Sequence, residues 1–97
     1  MPQLIVKSEN IRSTVSLISA ALKTQLNVIA TGIKRTRMRI TYFETTYEFS
    51  TAELLEKETD GTLDDSDLEI IEWLGEYRML ERLEAEYREL VGLEICS

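Results

Sequence analysis

The chain has no histidine, one cysteine, one proline and four glycines among its 97 residues. Each shortage closes off a class of chemistry. Without histidine the commonest general base and metal ligand is missing. A single thiol, Cys96, cannot build an internal disulfide framework, so nothing points to secretion. The stretch MPQLIVK has too short an apolar run for a signal peptide, and no stretch is long and apolar enough to span a bilayer. These absences together lead to the expectation of a cytoplasmic, non-enzymatic protein without metal, cofactor or membrane attachment. The nearest approach to a catalytic pair is Glu72 and Glu76, four apart on one helix face, which read as ordinary surface acids because no nucleophile motif accompanies them.

Charge is plentiful and unevenly spread. The net charge is −7, yet residues 1–50 carry seven Lys/Arg against three acids, while residues 51–97 carry four against fifteen. The halves are therefore +4 and −11, which bears on association more than on fold. At this length the chain is a single domain, residues 1–97, with a thin core that makes an oligomer plausible on size alone.

The stretch DGTLDDSDLEIIEWLGEY, residues 60–77, organises the second half. Asp60-Gly61 is a turn dipeptide. Ser66 and Glu69 have the spacing of a capping box, and the neighbouring aspartates suit the positive end of a helix dipole. A divalent-metal loop would need ligands at alternate positions around a central glycine, which this run does not have. Ile70, Trp73, Tyr77, Leu80, Leu83, Tyr87 and Leu90 then form one stripe, predicting a helix over about 67–91 with Gly92 at its end. Trp73, Tyr77 and Tyr87 read as core. Leu93–Cys96 is left as a short apolar tail that could pair with Leu4–Val6.

In the first half, apolar residues fall at Ile11, Val15, Ile18, Leu22, Leu26, Ile29, Ile33 and Ile40, with Arg37 in the one missing slot. This eleven-residue period is 3.67 residues per turn and predicts a nearly straight helix. Residues 34–49 allow two readings. Met38, Ile40 and Tyr42 alternate with Arg37, Arg39 and Thr41 as a strand would, and the segment is rich in Thr, Tyr and Phe. The eleven-residue phase also persists to Ile40, and no Gly, Pro or Asn turn divides the segment into a hairpin. The helix is favoured, and Gly32 costs it about 1 kcal/mol. Ser50-Thr51-Ala52-Glu53 is a second capping box, expected to start a short helix to about Lys57 with Leu54 and Leu55 inward.

The expected fold is thus all-α. A long first helix, about 9–46, folds back through a short helix onto the C-terminal helix, making a helical hairpin in a coiled-coil-like dimer. The alternative is α+β, with a strand or hairpin in 34–49. Forty helical residues reach about 60 Å and twenty-five about 38 Å, so the hairpin cannot cover the first helix. The overhang carries Ile11, Val15, Ile18 and Leu22, the expected homodimer interface.

From Phe49 onward the chain also resembles a group of small helical, antitoxin-like proteins of archaea and cyanobacteria, many encoded beside a toxin-like protein. The likeness rests on FSTAELLEK, DGTLDDSD, EWLGEYRMLERL and VGLEIC, about half the chain. In that group a short helix precedes a G-x-L-G-D-D turn and an acidic helix containing E-W; here Thr62-Leu63-Asp64 lacks the usual glycine. The resemblance implies neutralisation of a basic partner by the acidic C-terminal helix; on that helix Glu72, Glu76, Glu84 and Glu86 are the candidate contact residues, with Glu69 reserved for its cap. The competing reading is nucleic-acid binding through Lys34, Arg35, Arg37 and Arg39, with Tyr42 and Phe43 as stacking residues. Against it stand the acidic total and the lack of any groove-reading motif. A third reading is a helical dimer of structural role, in which the basic segment pairs with the acidic half.

Overall fold

A computed structural model describes residues 8–96, with the side chains of residues 11–94. Three helices follow one another: α1 (Ser8–Tyr47), α2 (Thr51–Asp60) and α3 (Leu68–Cys96). Among the described residues there is no strand. Forty residues of straight helix measure about 60 Å, and the longest dimension of the molecule is 61 Å, so α1 runs its full length.

The strand-prone segment is helical because only a helix buries its apolar side chains together. Thr36, Ile40 and Phe43 are buried and Tyr47 half-buried, at spacings of four, three and four. Alternation would instead have grouped Ile40 with Met38 and Tyr42, which are 65% and 57% exposed. Tertiary burial outweighs β propensity here. The threonines also satisfy their hydroxyls within the helix, since Thr31 and Thr41 donate to the carbonyls of Asn27 and Arg37. The apparent gap in the stripe at Arg37 is filled one residue earlier, by Thr36 at 5% exposure.

Both helix junctions are built by side chains. α1 ends at Tyr47, and Glu48 just beyond it has a left-handed φ of 59°, as at many helix C-termini. Ser50 caps α2, its hydroxyl accepting from the Glu53 amide at 3.2 Å. The helix runs to Asp60, three residues beyond expectation, and stops at Gly61 with φ 78°. The start of α3 corrects the capping-box expectation. Asp67 Oδ1 accepts the Glu69 amide at 2.9 Å, whereas Ser66 is turned back, donating its amide and hydroxyl to Asp64 Oδ1. Asp67 is therefore the cap, one residue later. Glu69 instead accepts from the Tyr47 hydroxyl. Gly92 does not end α3, because its φ stays negative and the helix continues to Cys96. The supposed apolar tail is its last turn; Leu4–Val6, its suggested partner, lies outside the described residues.

α1 and α3 pack antiparallel. Tyr47 meets Asp67 and Glu69, Arg39 meets Glu72 and Glu76, and Gly32 faces Leu83. Facing residue numbers thus add to about 115. A Cβ on Gly32 would lie 3.4 Å from Leu83 Cδ1, an ordinary van der Waals contact, so the two helices lie side by side here. The core sits at the closed end: Ile40, Phe43, Leu54, Ile70, Trp73 and Leu74 are buried together. Trp73, read as core from its stripe, packs on Phe43, Tyr47 and Phe49, with Ile40 in the same cluster. The short α2 connection sets this register, placing residue 73 opposite the last turns of α1.

Gly75 is helical and exposed, and a Cβ there would meet nothing within 4 Å. Gly75→Ala should therefore raise stability by up to about 1 kcal/mol, seen as a higher urea midpoint with unchanged slope. A lower midpoint would show that the site is more crowded than this geometry allows.

Candidate interaction surfaces

The two candidate charge sets meet each other. Arg39 reaches Glu76 at 3.0 Å and Glu72 at 3.5 Å, and Arg37 reaches Glu84 at 2.5 Å. These arginines are half exposed or more, so each pair contributes at most about 1 kcal/mol. Their consequence is for recognition: three of the four acids proposed for a basic partner already have cations. Glu86 alone of that set makes no ion pair among the described residues. Glu84 also lies toward α1, apart from Glu86 on the outer side.

The nucleic-acid reading fares worse on geometry. At 100° per residue, Lys34, Arg35, Arg37 and Arg39 point around α1 rather than along one face. Arg37 and Arg39 are paired, and Arg39 also lies 5.7 Å from the Phe43 ring centroid. Phe43 is 1% exposed and stacked on Trp73, so it cannot stack on a base. Tyr42 is exposed and touches Phe43 edge-on. Lys34 and Arg35 remain without ion pairs among the described residues.

The acidic connection is occupied with its own backbone. Asp60 Oδ1 accepts from the Thr62 hydroxyl and amide, and Asp64 Oδ1 from those of Ser66. These donors hold both carboxyls below the ordinary carboxylate range. Among the described residues no group of three His, Cys, Asp or Glu is arranged to hold a metal ion. On the inner side, burial and the acceptors Asp67 and Glu69 push the Tyr47 hydroxyl far above its usual range. Arg78 is likewise raised by its bonds to Glu58, which tie α3 to α2.

The sign of the acid effect follows. Depressed carboxyl pKa values contribute stability that is present above the unfolded value, near 3.9, and lost as pH falls through the folded value. The urea midpoint should decline below about pH 4, and Asp60→Asn with Asp64→Asn should flatten that decline. An unchanged acid limb in the double variant would exclude these two turns as its source.

At the other end of α1 the sequence reading of the overhang agrees with the structure. Extending the helix register puts the last turn of α3 near residue 20. Beyond it Ile11, Val15 and Ile18 are 48%, 47% and 60% exposed, and Leu22 is half-buried at the edge. A second exposed set, missed in the single-stripe reading, lies on the opposite side of α1: Leu17, Val28, Met38 and Tyr42. An open groove also runs beside Ile33, between Lys34, Arg37 and Met38 of α1 and Glu84, Tyr87 and Arg88 of α3. Among the described residues no helix is long and apolar enough to cross a membrane. Compared with family models, curated proteins and solved structures, the chain matches none.

Proposed function

We propose that the chain is a non-enzymatic protein–protein interaction module, of the antitoxin type its resemblance implies. It acts as a homodimer joined through the uncovered third of α1, with Ile11, Val15, Ile18 and Leu22 at the contact. One observation carries this reading. The stripe that α3 buries along Leu26, Ile29 and Ile40 continues in phase into the overhang, where no described residue covers it. Isolated exposed apolar residues are ordinary, but a stripe in register with a buried one lacks only its opposing helix.

The basic partner belongs to the other end. Glu53, Glu56, Glu81, Glu86 and Glu89 are exposed and make no ion pair among the described residues. They give α2 and the outer side of α3 a field that favours a cationic surface. Reversing Glu86 and Glu89 to Lys should slow capture of a basic partner from the native host, and raised salt should do the same. Glu72 and Glu76 are poor choices for this test, because changing them also breaks the Arg39 pairs.

Val15→Glu with Ile18→Glu tests the dimer. Both side chains lie outside the core, so helicity should be unchanged while the assembly mass in sedimentation falls and melting loses any dependence on concentration. An unaltered mass would remove the overhang as an interface.

A further inference from the structure

The second exposed face of α1 has a different period from the first. Its positions, from Leu17 through Val28 to Tyr42, alternate in steps of four and three, a strict seven-residue repeat. The α3-facing stripe repeats every eleven. A seven-residue repeat is the pattern that holds one seam against a partner helix in a left-handed pair. α3 lies on the other side of α1, so this seam has no partner among the described residues. Its large members are all more than half exposed: Leu17 69%, Val28 59%, Met38 65% and Tyr42 57%.

The C-terminal half of the seam has the shape of a receptor. A shallow groove is lined by Thr31, Lys34, Arg35, Met38, Arg39 and Tyr42. Those residues form two overlapping four-residue sets at the spacing of the holes in knobs-into-holes packing. The N-terminal half offers small knobs, Ala21 and Thr24. Thr31 keeps its hydroxyl on the Asn27 carbonyl, leaving its methyl to the seam.

We propose that this seam takes α1 of a second copy of the chain, antiparallel, about a two-fold axis near Ala30. Facing numbers then add to 59. Leu17 lies opposite Tyr42 of the second copy, Ala21 opposite Met38, Thr24 opposite Arg35, and Val28 opposite Thr31. Ala21 and Thr24 fall on the two holes, and in three of the four layers a large side chain meets a small one. Charge selects the direction. A parallel pair would stack Arg35 on Arg35, with Lys34 and Arg39 beside them. The antiparallel pair sets those cations against residues 20–25, where Lys23 is the one charge. One like-charged approach remains on the rim, Lys23 to Lys34 of the second copy, so added salt should strengthen this contact. The contact goes beyond the overhang dimer, and two isologous interfaces on one helix build assemblies larger than a dimer.

The test is sedimentation of the full chain across concentration and salt, in four forms. These are the wild type, the overhang variant Val15→Glu/Ile18→Glu, the seam variant Val28→Glu/Met38→Glu, and all four changes together. Both seam side chains are exposed, so the fold is expected to stay intact, with far-ultraviolet circular dichroism as the control. The overhang variant should still self-associate, more tightly in high salt, and the fourfold variant should be at least about tenfold weaker. An overhang variant that stays monomeric overturns the seam as a self-contact and leaves it to a different helix. A seam variant that is already monomeric leaves the seam standing and sinks the overhang dimer instead. Direction is read by oxidation in the overhang variant with Cys96→Ser. Ala21→Cys alone should not cross-link, while a mixture of Ala21→Cys and Met38→Cys chains should. Cross-linking of Ala21→Cys alone would overturn the antiparallel arrangement.

Discussion

Trp73→Ala should cost about 3–5 kcal/mol, the range for removing a fully buried large aromatic side chain. A small domain has only about 5–15 kcal/mol in total. Trp73 is 0% exposed. Its ring stacks on Phe49 at 5.1 Å and Phe43 at 5.9 Å between centroids, with Tyr47 edge-on at 5.8 Å. Its indole N–H donates to Thr51 Oγ1 at 3.0 Å. The Thr51 hydroxyl and amide in turn donate to Glu44 Oε2, at 2.9 and 2.8 Å. One side chain therefore joins the end of α1, the start of α2 and α3. Truncation opens a cavity that three aromatic rings cannot readily fill. Trp73→Phe keeps most of the ring but loses the hydrogen bond, and should cost less, about 1–3 kcal/mol. Urea titrations followed by circular dichroism measure both. A loss under about 1 kcal/mol for Trp73→Ala would mean the side chain is not buried as described.

The second large effect is expected at Leu54. α2 has two buried side chains, Thr51 and Leu54, with Leu55 half-buried. Leu54 is 0% exposed and packs in the same core as Trp73. Leu54→Ala should cost about 2–5 kcal/mol, and the loss should be felt first in α2, whose other tertiary ties include the exposed Arg78–Glu58 pair. Limited proteolysis should therefore cut within residues 51–60 before cutting α1 or α3. If the two long helices are cleaved at the same rate as α2, the short helix is not separately anchored by Leu54. Because Leu54 and Trp73 share neighbours, the double variant should lose less than the sum of the single losses.

The helices were legible because their stripes have one period each, and Ser50 and Asp60-Gly61 mark ends by local chemistry alone. The cap of α3 was not, because four candidate capping side chains stand within Asp64–Asp67. The choice between them depends on Ser66 being drawn back to Asp64. Gly92 misled for a related reason: a glycine can end a helix, but it does so only where the backbone turns left-handed. The pairing of Arg37 and Arg39 with Glu84, Glu72 and Glu76 required the helix register, which α2 sets from a distance. Composition showed that the halves carry opposite charge and not which residues would meet. The seam was missed because small and polar residues stand between its large members, so it shows in the period and not in hydrophobicity.

The antiparallel register has a kinetic side. At the closed end Tyr47 reaches Asp67 across 20 residues, while Arg37 reaches Glu84 across 47. Closing the longer loop from the open chain costs about 0.8 kcal/mol more. If the closed end forms first, each further turn joins helices already held together, and folding zips from the aromatic cluster outward. The last turns to close are then the first to open. Amide protection should decline along α1 toward its N-terminus, and a partner that settles on Ile11, Val15 and Ile18 would complete the fold at the end where the chain alone holds it least.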